Sequence, residues 1–154
     1  MAVEVNLAAA PKRPFVGAQV DWRWGQQTGW VRLELKDGDL YRDGKKVDLY
    51  FDSAQVGGSL QGYALCKNLE RTMAGVVLHP NEKTALMANE QLFPESWKVD
   101  DQGRDLFIFF WAVGFRRGST RYAVFVFFDG DAWCESRIPL GRHLNVNNPA
   151  AHAG

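Results

Sequence analysis

The chain has 154 residues, the size of one ordinary domain, and can bury about two thirds of the surface its unfolded form exposes, so it needs no disulfide or metal to hold a core. Its 18 Lys and Arg against 18 Asp and Glu cancel to zero net charge. That balance disfavours duplex nucleic acid, whose binders carry a basic excess to displace counterions, and weakens the self-repulsion that keeps domains apart.

Residues 1–14, MAVEVNLAAAPKRP, place no basic residue ahead of Ala8, Ala9 and Ala10 and contain no seven-residue apolar run. They fail as a secretory signal and read as an N-terminal arm. A single α+β domain is expected over 15–140. It begins with period-two alternation: Ala18, Val20, Trp22 and Trp24 on one face, Gln19, Asp21 and Arg23 on the other, followed by a loop over Gly25–Gly29. The next run puts Val31, Leu33 and Leu35 inward and turns Trp30 outward. The pairs Asp37-Gly38 and Asp43-Gly44 suit turns that require positive φ, and Val47, Leu49 and Phe51 resume the alternation. The first third is thus a meander of short antiparallel strands.

Residues 53–80 stay open: Leu60, Tyr63 and Ala64 have helical spacing, Gly57, Gly58, Gly62 and Gly75 oppose a long helix, and Val76-Val77-Leu78 fits a short strand. The main helix is expected near residues 82–92, about three turns long. Asn81 is its N-cap, Glu82 complements the positive end of the dipole, and Pro94 follows it. Ala85, Ala88, Asn89 and Leu92 form its stripe, with Leu86 and Phe93 beside.

The uncharged run LFIFFWAVGF, residues 106–115, then opens a three-stranded meander, and is far shorter than the roughly 20 residues that cross a bilayer as a helix. No membrane span is expected. A two-residue loop at Gly118-Ser119 would oppose Phe115 to Tyr122, Trp111 to Val126 and Phe109 to Phe128 on one face, with Arg116 against Arg121 near the tip. A second two-residue loop, at Asp129-Gly130, adds Trp133, Glu135 and Arg137 to that face. The reverse face mixes Phe110, Phe125 and Phe127 with Ala112, Gly114, Ala123 and Cys134, a relief that invites the helix from Asn81. The aromatic face has two destinations: core beneath the N-terminal meander of a sandwich or open barrel, or a contact surface. Residues 141–154 have the composition of a flexible C-terminal tail.

Signatures of catalysis fail. His79, His143 and His152 form no metal-ligand spacing, and Cys66 and Cys134 are too distant for a CxxC pair, which fits reduced, buried thiols in a cytoplasmic protein. In Gly57-Gly58-Ser59-Leu60-Gln61-Gly62 the closing glycine comes one residue late for a nucleophile elbow. Asp37-Gly38-Asp39, Asp100-Asp101 and Asp129-Gly130-Asp131 read as turns rather than calcium loops. TRYAVFVFF lacks the glycine of an RNA-binding RRM strand.

The expected protein is therefore a non-catalytic interaction or assembly module with no cofactor and no metal, binding a protein partner or itself as a homo-oligomer. Its candidate contact residues are Trp30, Trp111, Phe115, Arg116, Arg117, Arg121, Tyr122, Trp133 and Arg137. A small-ligand or single-stranded nucleic-acid binder using the same rings, and an enzyme built on dispersed carboxylates, are the alternatives.

Overall fold

The computed structural model describes residues 1–25 and 29–154. The fold is α+β and mostly antiparallel. Strands β1 (Ala2–Asn6), β2 (Gln19–Arg23), β3 (Trp30–Lys36), β4 (Asp39–Arg42) and β5 (Lys45–Tyr50) are followed by helices α1 (Ser53–Val56), α2 (Gly62–Met73) and α3 (Pro80–Ala88). The short strand β6 (Leu60–Gln61) precedes α2, and two 3-10 turns, Glu90–Leu92 and Glu95–Trp97, follow α3. Then come β7 (Ile108–Phe109), β8 (Val113–Arg117), β9 (Thr120–Phe128), β10 (Trp133–Pro139), β11 (His143–Leu144) and β12 (Ala150–Ala153). Ten strands form one sheet in the order β1-β3-β4-β5-β12-β7-β9-β8-β2, with β10 on β9, while β6 and β11 pair separately.

The turn chemistry acts as expected. Asp37 and Asp43 have φ of 51° and 49°, each followed by a glycine with positive φ, which closes two tight hairpins. Of the loop expected over Gly25–Gly29, residues 26–28 lie outside the described residues. Both chain ends depart from expectation. Ala2–Asn6 is not a loose arm but pairs with β3, and Ala150–Ala153 is not a flexible tail but lies between β5 and β7. Both segments carry apolar residues that a neighbouring strand can use, a benefit invisible to composition.

One core joins the two meanders: Leu33, Leu40 and Val47 pack in the same cluster as Phe115, Val126 and Trp133, so the N-terminal meander does cover the C-terminal one. Helix α3 and the turns after it belong to this cluster through Leu86, Leu92 and Phe93. The helix was expected on the reverse face. That place is taken by α2, whose Leu65, Cys66 and Leu69 pack with Trp22, Phe109 and Trp111. Gly62, which argued against a helix here, is the residue that allows one: a Cβ on it would lie 2.8 Å from the Leu140 carbonyl oxygen, because the start of α2 sits flush on that backbone.

The pairing of the uncharged run differs in an instructive way. Near the tip, Phe115 meets Tyr122 and Arg116 meets Arg121, as the two-residue loop requires. Further on, however, Phe109 meets Phe125 rather than Phe128, and Ile108, not Trp111, meets Val126. The slip arises at Trp111-Ala112, which leaves the strand and carries Phe109, Trp111 and Ala112 to the α2 side while Val113 and Phe115 stay on the other. The displaced backbone is satisfied elsewhere: Ala112 N–H donates to Leu78 O (3.2 Å), Trp24 N–H donates to Ala112 O (2.9 Å), and Trp22 Nε1–H donates to Trp111 O (2.8 Å). Between β9 and β10 the loop has four residues, not two, and its Asp129 carboxylate accepts from the Asp131 and Ala132 amides at 2.9 Å each. Trp133 now faces Phe128, which preserves the expected side.

Trp22 fits only because position 114 has no side chain. A Cβ at Gly114 would lie 2.1 Å from the indole, and that ring is fixed by its hydrogen bond to Trp111. Gly114→Ala therefore costs about 3 kcal/mol of stability or more, seen as a lower urea midpoint at unchanged m-value.

Candidate functional site

The nine predicted contact residues divide in two. Trp111 and Phe115 are 0 % exposed and Trp133 is 7 % exposed, so these three rings are core. Trp133 stacks on Phe93 with centroids 4.0 Å apart, and Trp111 stacks on Trp22 and Phe109. Trp30, Arg116, Arg117 and Arg137 are exposed, and Arg121 and Tyr122 are half-buried. Arg121 is already committed, donating from Nε to Asp21 Oδ2 at 2.6 Å and lying over the Trp22 ring. Arg116 and Arg117 remain at the hairpin tip.

Trp30 stands apart. Of the six tryptophans it alone is exposed, at 66 %, while Trp22, Trp24, Trp97, Trp111 and Trp133 are buried. Strand alternation puts it opposite the Val31 and Leu33 side of β3. Beside it runs a shallow hollow of about 460 Å³ whose apolar lining comes from Val5, Ala9 and Ala10, with Thr84 of α3 at one wall. The hollow is rigid on that side, because Asn81 Nδ2–H donates to the carbonyls of Asn6 (3.0 Å) and Ala9 (2.9 Å).

At Lys12 this hollow meets a smaller and deeper pocket of about 170 Å³, lined by Lys12, Arg13, Lys83, Arg137 and one carboxylate, Glu135. The two Glu135 oxygens are taken by Lys83, in a short contact, and by Lys12 at 3.5 Å. Lys83 is buried, and burial pushes its ammonium pKa down while the Glu135 hydrogen bond pulls it back up. Arg13 Nη1 donates to Ala18 O at 2.7 Å, and Arg137 lies 5.0 Å from the Phe15 ring centre. Arg137 was legible as a surface arginine. Glu135 was placed on the same face, but Lys12, Arg13 and Lys83 gave no signal, because they come from segments more than fifty residues away.

Helix α3 buries a second charge. Glu82, 0 % exposed, is bidentate with Arg42, whose Nε donates to Oε2 at 3.0 Å. Glu82 Oε1 also accepts from His79 N–H (2.9 Å), and His79 Nδ1 accepts from Asn81 N–H (2.9 Å). His79 is thus the N-cap in place of the expected Asn81, with Pro80 opening the helix. The stripe shifts accordingly: Glu82, Lys83 and Leu86 are buried, and Ala88 is exposed. Burial, with Arg23 and Arg42 nearby, lowers the His79 pKa to about 4, so the ring is neutral at pH 7. The thiols differ from one another. Cys66 is buried, which pushes it up to about 12 and makes it inert, whereas Cys134 is half-buried rather than buried.

Half-buried Phe107, Phe125 and Phe127 form an aromatic strip on the reverse face. Sequence alternation assigned Phe125 and Phe127 to that face but supposed a helix over them. Among the described residues no helix is long and apolar enough to cross a membrane. No protein-family model, curated protein or solved structure matches the chain.

Two stability effects follow from α3. Arg42→Met strands the Glu82 charge in the interior and costs about 3–5 kcal/mol in urea unfolding at pH 7. For His79 the unfolded chain takes up a proton below pH 6.5 while the native ring resists until about pH 4. Stability is therefore lost as pH falls through that window, by up to roughly 3 kcal/mol. His79→Asn keeps a capping oxygen, and the mutant shows a smaller stability difference between pH 7 and pH 4.5 than the wild type.

Proposed function

We propose that the chain is a non-catalytic interaction module that associates with a second copy of itself through Trp30 and the hollow beside it. The observation that carries this reading is the single exposed indole among six, set on a rigid strand next to apolar space. Tryptophan is among the residues most enriched at energetic centres of interfaces, and among the described residues Trp30 is left 66 % exposed. A patch that offers both a projecting ring and an adjoining hollow is self-complementary: across a twofold axis each Trp30 enters the other copy's hollow. Zero net charge supports a second copy as the occupant, since two like molecules then meet without long-range repulsion. Arg116, Arg117, Tyr122 and Arg137 belong to the surface around the hairpin tip and β10 rather than to this contact. The free thiols of Cys66 and Cys134 fit a reducing, cytoplasmic setting, which is part of the same proposal.

Sedimentation velocity over a concentration series tests it. The wild type passes from monomer to dimer, and Trp30→Ala weakens the dimer by about tenfold or more, as loss of a central anchor does. Because the ring is exposed in the monomer, the same variant keeps its urea midpoint. A wild type that stays monomeric at every soluble concentration, or a Trp30→Ala protein that dimerises equally well, refutes the proposal.

A further inference from the structure

We propose that the pocket between the N-terminal segment and β10 is a binding site for a phosphate group, held by Arg13, Arg137, Lys12 and Lys83. Four cationic side chains and one carboxylate line it, a formal excess of three positive charges in a molecule whose total is zero. Like charges gathered this closely raise the energy of the empty site, and an anion lowers it.

The Glu135 carboxylate does not remove the need. Its two oxygens face the two lysines, and it makes no ion pair with either arginine. Among the described residues neither Arg13 nor Arg137 has a carboxylate within ion-pair distance. Each is positioned by a contact that leaves its charge unneutralised: Arg13 by the Ala18 carbonyl, and Arg137 by the face of Phe15. A guanidinium anchored over a ring by its charge alone still has N–H groups to offer a bidentate oxyanion, the partner arginine matches best. Lys83 adds a buried ammonium of whose three protons Glu135 accepts one. The volume selects the ligand. About 170 Å³ lies below the 300–1,000 Å³ of sites for drug-sized molecules, so one phosphate-sized group fits and a whole nucleotide does not.

Calorimetric titration of the intact chain with inorganic phosphate and, separately, with phenyl phosphate, both at constant ionic strength held with chloride, tests the assignment. Saturable one-to-one binding is expected, weakened by about tenfold or more in Arg137→Gln. Arg137 is exposed, so that variant keeps its urea midpoint; Arg13→Gln repeats the test from the other side of the pocket. Binding of inorganic phosphate alone identifies a free anion as the ligand, and equal or tighter binding of phenyl phosphate identifies a phosphate carried on a larger molecule. Trp30→Ala binds phosphate as the wild type does, which separates this site from the self-association contact. Absence of saturable binding for both ligands, or Arg137→Gln binding as tightly as the wild type, overturns the proposal.

Discussion

The hydrogen bond from the Trp22 indole to the Trp111 carbonyl fixes the point on which the fold turns. At Trp111-Ala112 the chain abandons its strand, and without acceptors and donors waiting there the exposed peptide groups would each cost the desolvation penalty of an unpaired buried group, about 1–3 kcal/mol. Trp22, Trp24 and Leu78 supply them. The kink lets one uncharged segment feed two cores: Phe109 and Trp111 serve the α2 side, Val113 and Phe115 the side closed by the N-terminal meander. Gly114 is the corollary, since the indole that holds the kink lies where any larger residue's side chain would be.

Helix α3 is fastened by charge as well as by its apolar Leu86. Glu82 reaches Arg42 at the end of β4, and Lys83, the next residue, reaches Glu135 on β10. Adjacent helical positions point about 100° apart, so a consecutive pair of opposite charges can grip two different parts of the sheet at once. Buried ion pairs contribute less to stability than apolar packing of equal volume, but each is intolerant of misplacement. The pair therefore fixes where α3 sits, and with it the walls of both surface depressions, through Thr84 and Asn81 on one side and Lys83 on the other.

What could be read from the sequence was local. The Asp-Gly turns, the outward Trp30, the Gly118-Ser119 hairpin and the mutual approach of Arg116 and Arg121 follow from period-two alternation and turn chemistry, which need no knowledge of the rest of the chain. The slip at Trp111-Ala112 was illegible because the run carries no polar residue to mark a break, and its cause is the distant Trp22. Gly62 misled for a related reason: its smallness answers to Leu140, not to its own helix. Glu82 and Lys83 look like solvent-facing helix residues until Arg42 and Glu135 are placed beside them. Of the residues assigned to a contact surface, Trp30, Arg116, Arg117 and Arg137 are exposed, while Trp111, Phe115 and Trp133 belong to the core because the register and the covering meander, both long-range, bury them.

Strand β12 (Ala150–Ala153) lies between β5 and β7, elements separated from each other by more than fifty residues, and is itself about a hundred residues from β5. Until that segment docks, β5 and β7 each present a raw row of peptide groups to solvent. Closure of the sheet thus waits on contacts of very high sequence separation, which makes folding slow and leaves the half-assembled state open to strand exchange with neighbouring chains.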